Sequence, residues 1–277
     1  MKLQTVPAAR GALWVRQGFR AFFKRPLAFA ALFATFMFAV FVLALLPYLG
    51  ALVLLALLPL VSLGFMIATR ITVDGGFPTA RVFVDPLRAD ASRRNTMLQL
   101  GAVYAVATFV VMWLADLADG GAFEALMDAM PSAQTSPDAM AAKLGAPGLG
   151  LGMLVRFGLA ALLAVPFWHA PALAHWDGHG CAKALFSSTL ACWRNRGAFA
   201  VYGAVWFGLI VVCGMAASLL FALLGQPQLS AVVAVPLSLV FATVFYVSLY
   251  FTFADCFIAT ESDAAAGALQ PPSETSS

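Results

Sequence analysis

Charged residues are scarce in this chain of 277 residues. Asp, Glu, Lys and Arg account for 10% of it, against about 25% in an ordinary soluble domain, and hydrophobic residues account for 62%. This composition excludes a conventional water-soluble fold. The chain also lacks glycine-rich phosphate loops, nucleophile elbows and nucleic-acid-binding motifs. We therefore expect no soluble enzyme activity, no cofactor and no nucleic-acid partner.

Cysteine is rare as well. The four residues are Cys181, Cys192, Cys213 and Cys256. Disulfides form outside the cytoplasm, and the topology argued below places none of the four there. We therefore expect no disulfide and interpret these cysteines as packing residues.

Six long apolar runs dominate what is present. They cover 27–46, 48–69, 97–117, 148–168, 198–224 and 229–253. A helix that crosses the ~30 Å hydrocarbon core needs about 20 apolar residues, whereas a barrel strand has about ten with alternating polarity. The sequence therefore predicts an all-α polytopic bundle of six transmembrane helices. We assign residues 1–26 to a basic amphipathic segment, 27–259 to the transmembrane domain and 260–277 to a disordered tail.

The basic residues are distributed unevenly around these runs. Of the 16 Lys and Arg residues, six precede the first run, five lie between the second and third, and three lie between the fourth and fifth. The connection 118–147 on the other side carries one, Lys143, and several carboxylates. The positive-inside rule then places both termini in the cytoplasm.

Each pair of runs follows a cytoplasmic segment, so we expect three consecutive hairpins. Before the first run, four apolar residues share one helical face and three basic residues share another, which predicts a helix lying along the membrane surface. The apolar residues are Val15, Phe19, Phe22 and Phe23, and the basic ones are Arg16, Arg20 and Lys24.

The segment before the fifth run repeats this arrangement, with Ala182, Phe186, Leu190 and Trp193 as its apolar stripe. Before the third run, Asp85 followed by Pro86 predicts the start of a helix.

A shift of 170 residues aligns the segment before the first run with the segment before the fifth run. Either an ancient hairpin repeat or the shared Ala- and Phe-rich composition explains this match.

Several short stretches resemble an uncharacterised family of six-span inner-membrane proteins of Gram-negative bacteria. They are 14–19, 168–173, 183–187 and 191–199, and the similarity covers almost the whole chain. The resemblance implies the same topology and inner-membrane localisation. It implies no activity.

Two basic clusters are candidates for binding anionic phospholipid. They comprise Arg16, Arg20, Lys24 and Arg25 before the first run, and Arg194 and Arg196 before the fifth. A basic residue near an anionic membrane surface contributes about 1 kcal/mol of attraction. The alternative is that these residues only determine topology.

All three histidines lie close together in the sequence, at His169, His175 and His179. His175 and His179 have the i, i+4 spacing of zinc ligands, and Cys181 is near enough to add a thiolate. Gly178 and Gly180 interrupt a helix here. The alternative is an interfacial turn whose histidines face water and headgroups.

Ionisable residues inside apolar runs are expensive and therefore informative. Arg156 lies about eight residues into the fourth run, and Asp116 lies at the outer end of the antiparallel third run. Arg156 either contacts Asp116 or extends to the outer headgroups. Asp255, at the inner end of the sixth run, is either solvated or a proton carrier, and we favour the solvated state.

These observations favour a non-enzymatic structural or accessory protein whose basic cytoplasmic face engages anionic lipid. A small-solute or lipid transporter is the first alternative; several polar groups lining one cavity would favour it, and only Arg156, Asp116 and Asp255 are available. An intramembrane metal-dependent enzyme built on the histidine group is the second. The sequence points to no particular protein partner.

Overall fold

The computed structural model describes residues 1–47, 49–88, 90–129, 137–226 and 229–258, and nearly all of them are helical. In chain order the helices are α1 (Arg10–Lys24), α2 (Pro26–Ala44), α3 (Leu49–Val73), α4 (Ala91–Asp119), α5 (Ala122–Ala129), α6 (Pro137–Leu144), α7 (Leu149–Phe167), α8 (Ala170–Trp176), α9 (Cys181–Arg194), α10 (Arg196–Leu223) and α11 (Leu229–Cys256). Strands β1 (Lys2–Leu3) and β2 (Phe257–Ile258) form one antiparallel pair. The tail predicted at 260–277 lies outside the described residues.

Six segments are long and apolar enough to cross a membrane, as the sequence predicts. They are α2, α3, α4, α7 continued by α8, α10, and most of α11. The helices extend beyond the apolar runs at several ends. Helix α4, for example, has 29 residues, which at about 1.5 Å each exceeds the ~30 Å core. The all-α, six-span architecture is therefore confirmed.

The start predicted for the helix before the third span is wrong. Asp85 and Pro86 instead belong to a short 3₁₀ turn, Asp85–Leu87. The cap of α4 is Asp90, whose side chain accepts a hydrogen bond from the backbone N–H of Arg93 at 3.0 Å. The carboxylate thereby satisfies one of the unpaired donors of the first turn.

The interior of the bundle is centred on α3 and α11. Phe65 and Met66 of α3 and Val244 and Val247 of α11 are fully buried. Thr69 donates a hydrogen bond to the carbonyl of Phe65 and lies 3.3 Å from the carbonyl of Val247. The two helices thus pack closely and give the other spans a common wall.

Helix α1 packs on α10 and α11, so its apolar side is covered by protein. Trp14, Val15 and Phe22 are buried there, while Phe23, predicted to share this face, is exposed. Helix α9 shows the opposite arrangement. Its buried face consists of small residues such as Ala184 and Ala191, and the predicted apolar stripe with Phe186 and Trp193 is exposed.

Candidate lipid-facing site

The basic side of α1 carries three of the six residues that the sequence assigns to lipid binding. Arg16, Arg20 and Lys24 are all exposed and recur every four residues. At 100° per residue they lie opposite the buried side that carries Trp14 and Gly18. The structure therefore presents three cations on a helix face directed away from the bundle.

Two glycines hold α1 against the spans. A Cβ added at Gly11 would lie 2.6 Å from the backbone nitrogen of Tyr202 in α10. At Gly18 it would lie 2.7 Å from the Cβ of Ser248 in α11. The backbone of α1 thus crosses both helices at contact distance, which a larger side chain at either position would prevent.

A partly buried ion pair anchors the start of α1. Arg10 donates from Nε and Nη2 to the two carboxylate oxygens of Asp255 at 2.8 and 2.7 Å, and Trp14 Nε1 donates to Oδ2 at 2.6 Å. The hydrogen bond to this carboxylate raises the pKa of Arg10. The expectation that Asp255 is simply solvated is therefore wrong, because α1 supplies its partners.

Asn195 connects the segment before α1 to the same end of the bundle. Its Oδ1 accepts from the backbone N–H of Val6 at 2.8 Å, and its Nδ2 donates to the carbonyls of Gln4 and Ala191 at 3.1 and 3.0 Å. Sequence reasoning missed this residue. The signal available in the sequence was its position between Arg194 and Arg196, just before the fifth apolar run.

The second basic cluster lies beside Asn195. Arg194 and Arg196 are exposed, and the guanidinium of Arg196 lies 5.6 Å from the ring centroid of Trp193. Arg25, at the end of α1, similarly lies 5.9 Å from Phe77. All six residues assigned to lipid binding are thus on the surface, along α1 and around the junction of α9 and α10.

Arg156 lies far from these clusters, where α4 and α7 pack together. Its Nη2 is 2.5 Å from Oδ1 of Asp116 and 3.5 Å from Oδ2 of the buried Asp119. The guanidinium also stacks 3.8 Å from the centroid of Phe123. Since the side chain is buried, the alternative in which it extends to the headgroups is wrong. Asp119 and Phe123 were not predicted as partners.

The histidines occupy three different environments. His169 is fully buried, and its Nε2 lies 3.1 Å from Thr252 Oγ1, so the solvated turn predicted for it is wrong. His179 Nε2 lies 2.9 Å from Asp177. Burial lowers the pKa of His179, opposing the effect of this carboxylate, so the contact is made by a neutral ring at pH 7.

Candidate metal ligands do not converge in the described part of the chain. No group of three His, Cys, Asp or Glu side chains there is arranged to hold a metal ion. His175 lies beside Trp176, with 6.0 Å between ring centroids. Burial raises the pKa of the Cys181 thiol, which disfavours the thiolate that a metal requires.

Comparison with known proteins gives one relative. A Burkholderia thailandensis protein described as "Probable inner membrane protein" is 36% identical over 258 residues, which cover 93% of this chain and 94% of that protein. No family profile matches the chain. No solved structure matches it either.

Proposed function

We propose that this chain, which belongs to the family of the inner-membrane relative from Burkholderia thailandensis, is a non-enzymatic accessory protein that engages anionic phospholipid. It is an integral inner-membrane protein with six spanning helices. The proposed contact is made by the basic face of α1, formed by Arg16, Arg20 and Lys24. Arg25, Arg194 and Arg196 extend it at the helix ends.

The exposed position of this face carries the proposal. The apolar side of α1 is covered by α10 and α11 and is therefore unavailable for insertion into lipid. What α1 offers to its surroundings is mainly a row of cations, with the exposed ring of Phe23 beside it. Such a row attracts anionic headgroups at about 1 kcal/mol per charge close to the membrane surface.

The orientation belongs to the same proposal. Both termini are cytoplasmic, so that α1 and the junction of α9 and α10 face the leaflet that bears the negative surface potential. The distribution of Lys and Arg supports this orientation. The connection with α5 and α6, which carries Glu124 and Asp128, then lies outside.

Reconstitution with spin-labelled lipids tests the proposed contact. Electron spin resonance measures which share of labelled phosphatidylglycerol or phosphatidylcholine is immobilised at the protein surface. We expect the wild-type protein to prefer phosphatidylglycerol. The variant R16Q/R20Q/K24Q should bind it at least about fivefold more weakly, since even one charge contributes about 1 kcal/mol.

Two control variants separate the charged face from other causes. R16K/R20K keeps the charges and should keep the preference. R81Q/R88Q/R94Q removes two charges from the connection between α3 and α4 and one from the first turn of α4, and should leave most of the preference intact. An equal loss in this control, or an unchanged preference in R16Q/R20Q/K24Q, would contradict the proposal.

A further inference from the structure

A lateral groove opens between α7 and α10, next to the second basic cluster. It encloses about 490 Å³, within the range of about 300–1,000 Å³ that is typical of ligand pockets. Ala161 and Val165 line it from α7, and Gly203 lines it from α10. The groove has one cation at its edge, Arg196.

Aromatic rings form the floor of this groove and turn their carbon surfaces toward it. Trp168 Nε1 donates to Thr252 at 3.2 Å, and the Tyr202 hydroxyl lies 2.6 Å from Ser248 Oγ. Both polar atoms are therefore satisfied by α11. The lining that remains is almost wholly apolar and suits a hydrocarbon chain.

The length of the groove corresponds to one lipid leaflet. Along α10 it runs from Arg196 to Trp206, ten residues or about 15 Å. This is half of the ~30 Å hydrocarbon core. A chain that enters beside Arg196 therefore ends near the middle of the membrane.

The positive charge of Arg196, at one end of the groove, favours a lipid with an anionic headgroup. Among the described residues, no carboxylate pairs with Arg196, whose contact is with the ring of Trp193. A guanidinium near a membrane surface pairs well with a phosphate, to which it donates two parallel hydrogen bonds. The surroundings of the groove thus combine an apolar slot with an unpaired cation at one end.

We propose that this groove binds one anionic phospholipid, with an acyl chain between α7 and α10 and the phosphate on Arg196. The site rests on the proposed affinity for anionic lipid and shares Arg196 with that surface, but its groove does not include the basic face of α1. One molecule held here would resist detergent extraction, unlike lipid attracted only to the surface.

Native mass spectrometry of protein purified from membranes containing phosphatidylglycerol and phosphatidylethanolamine tests the site. The wild-type protein should retain about one phosphatidylglycerol per chain after delipidating washes, as expected for a single enclosed site. G203W should lose it, because no atom lies within 4 Å of a Cβ built at Gly203 and the indole would fill the groove. R196Q should bind it about fivefold more weakly, and R196K should restore binding.

Control variants distinguish this site from general effects. G214W places the same indole in open space about 16 Å farther along α10 and should retain the lipid. R16Q/R20Q/K24Q should retain it too, even though the surface preference falls. Retention by G203W as strong as in G214W, or equal retention of phosphatidylethanolamine, would overturn the proposal. Loss of surface preference in R16Q/R20Q/K24Q with retention unchanged separates the two claims.

Discussion

Ser188 forms hydrogen bonds with the backbone at the break in the fourth span. Helix α7 ends at Phe167, and the N–H of His169 donates to Ser188 Oγ at 2.9 Å instead of continuing the helix. The same hydroxyl donates to the carbonyl of Val165 at 3.0 Å. The buried side chain of Ser188 thus satisfies the N–H that the break leaves unpaired and adds a hydrogen bond to the Val165 carbonyl, which also accepts from the N–H of Trp168 at 3.4 Å.

Replacing Ser188 by alanine should therefore destabilise the protein. The substitution leaves the buried N–H of His169 without a partner, which costs about 1–3 kcal/mol, whereas the carbonyl of Val165 keeps its hydrogen bond from the N–H of Trp168. Thermal unfolding in detergent micelles would measure the loss. S187A, one position earlier on α9 and only partly buried, should unfold close to the wild-type temperature. Equal stability of S188A and S187A would show that the bridge is dispensable.

Arg156→Leu should have a larger effect. The substitution leaves the carboxylate of Asp119 buried without its cation, a situation that typically costs about 3–5 kcal/mol. The unfolding free energy in mixed micelles is the measurement. R156L/D119N should recover part of the loss, because it removes the unpaired charge and keeps the Oδ1 acceptor for the N–H of Gly121. A double variant no more stable than R156L would contradict this account.

The Cys192 thiol should resist alkylation. Burial raises its pKa to about 12, so its thiolate at pH 8 is on the order of a thousandfold scarcer than that of a free thiol with a pKa of about 8.5. We expect Cys192 to react only after unfolding, and partly exposed Cys181 to react in the native state. Mass spectrometry after timed maleimide labelling distinguishes the two sites. If both cysteines were labelled at the same rate in the native protein, burial of the Cys192 thiol would be excluded.

The sequence predicted residues better when their partners were close along the chain. Arg156 and Asp116 face each other on neighbouring antiparallel spans, which the order of the runs already implies. Asp255 is bound by Arg10, 245 positions away. No local sequence pattern predicts the pair of Arg10 and Asp255, because the two residues meet only when α1 packs on α11.

At the scale of helices, the sequence predicted which helices form but not which of their faces contact protein. The apolar patterns of α1 and α9 predict helices correctly, yet the stripe of α9 faces outward and that of α1 is mostly covered. Lipid and protein interior are both apolar, so hydropathy does not distinguish them. Gly11 and Gly18, two turns apart, were the better signal for protein contact.

The helix breaks support the repeat interpretation of the sequence. The break between α1 and α2 falls at Arg25, and that between α9 and α10 falls at Asn195. These positions are 170 residues apart, the same shift that aligns the two segments. Composition alone explains shared residue types but does not require a break at the same place.

Enlarging a glycine of α1 should detach this helix. G11A brings a methyl group within 2.6 Å of the α10 backbone, which cannot move as a flexible side chain would. Such overpacking costs about 1–3 kcal/mol. Trypsin should then cleave at Arg16 and Arg20 about five- to 140-fold faster, since every 1.4 kcal/mol is about tenfold in population.

The matched control for G11A is G197A, in the first turn of α10. Its added carbon would meet Ala8 at 3.5 Å, an ordinary contact, so its cleavage rate should stay near that of the wild-type protein. If G11A and G197A were cleaved equally fast, close packing of α1 on α10 would not be what protects the helix.

The whole molecule relies on lipid to cover most of its spans. In the most apolar window of α10 only 6% of residues are buried by protein, against 44% in α3. Hydropathy therefore predicted the six spans well, because lipid contact requires apolar side chains along their whole length. It could not predict which spans pack together, since packed and lipid-exposed helices have the same composition here.

The orientation of the molecule gives the last prediction. With termini inside, Glu124 on α5 is extracytoplasmic and Arg81, between α3 and α4, is cytoplasmic, and both side chains are exposed. Each is replaced by cysteine in a background where the four native cysteines are alanine. A membrane-impermeant maleimide should label E124C in intact spheroplasts and R81C only after lysis. The charge distribution demands this order, because translocating the basic connections would move most of the Lys and Arg across the membrane. Labelling of R81C in intact spheroplasts would overturn the orientation and leave the proposed lipid contacts in the wrong leaflet.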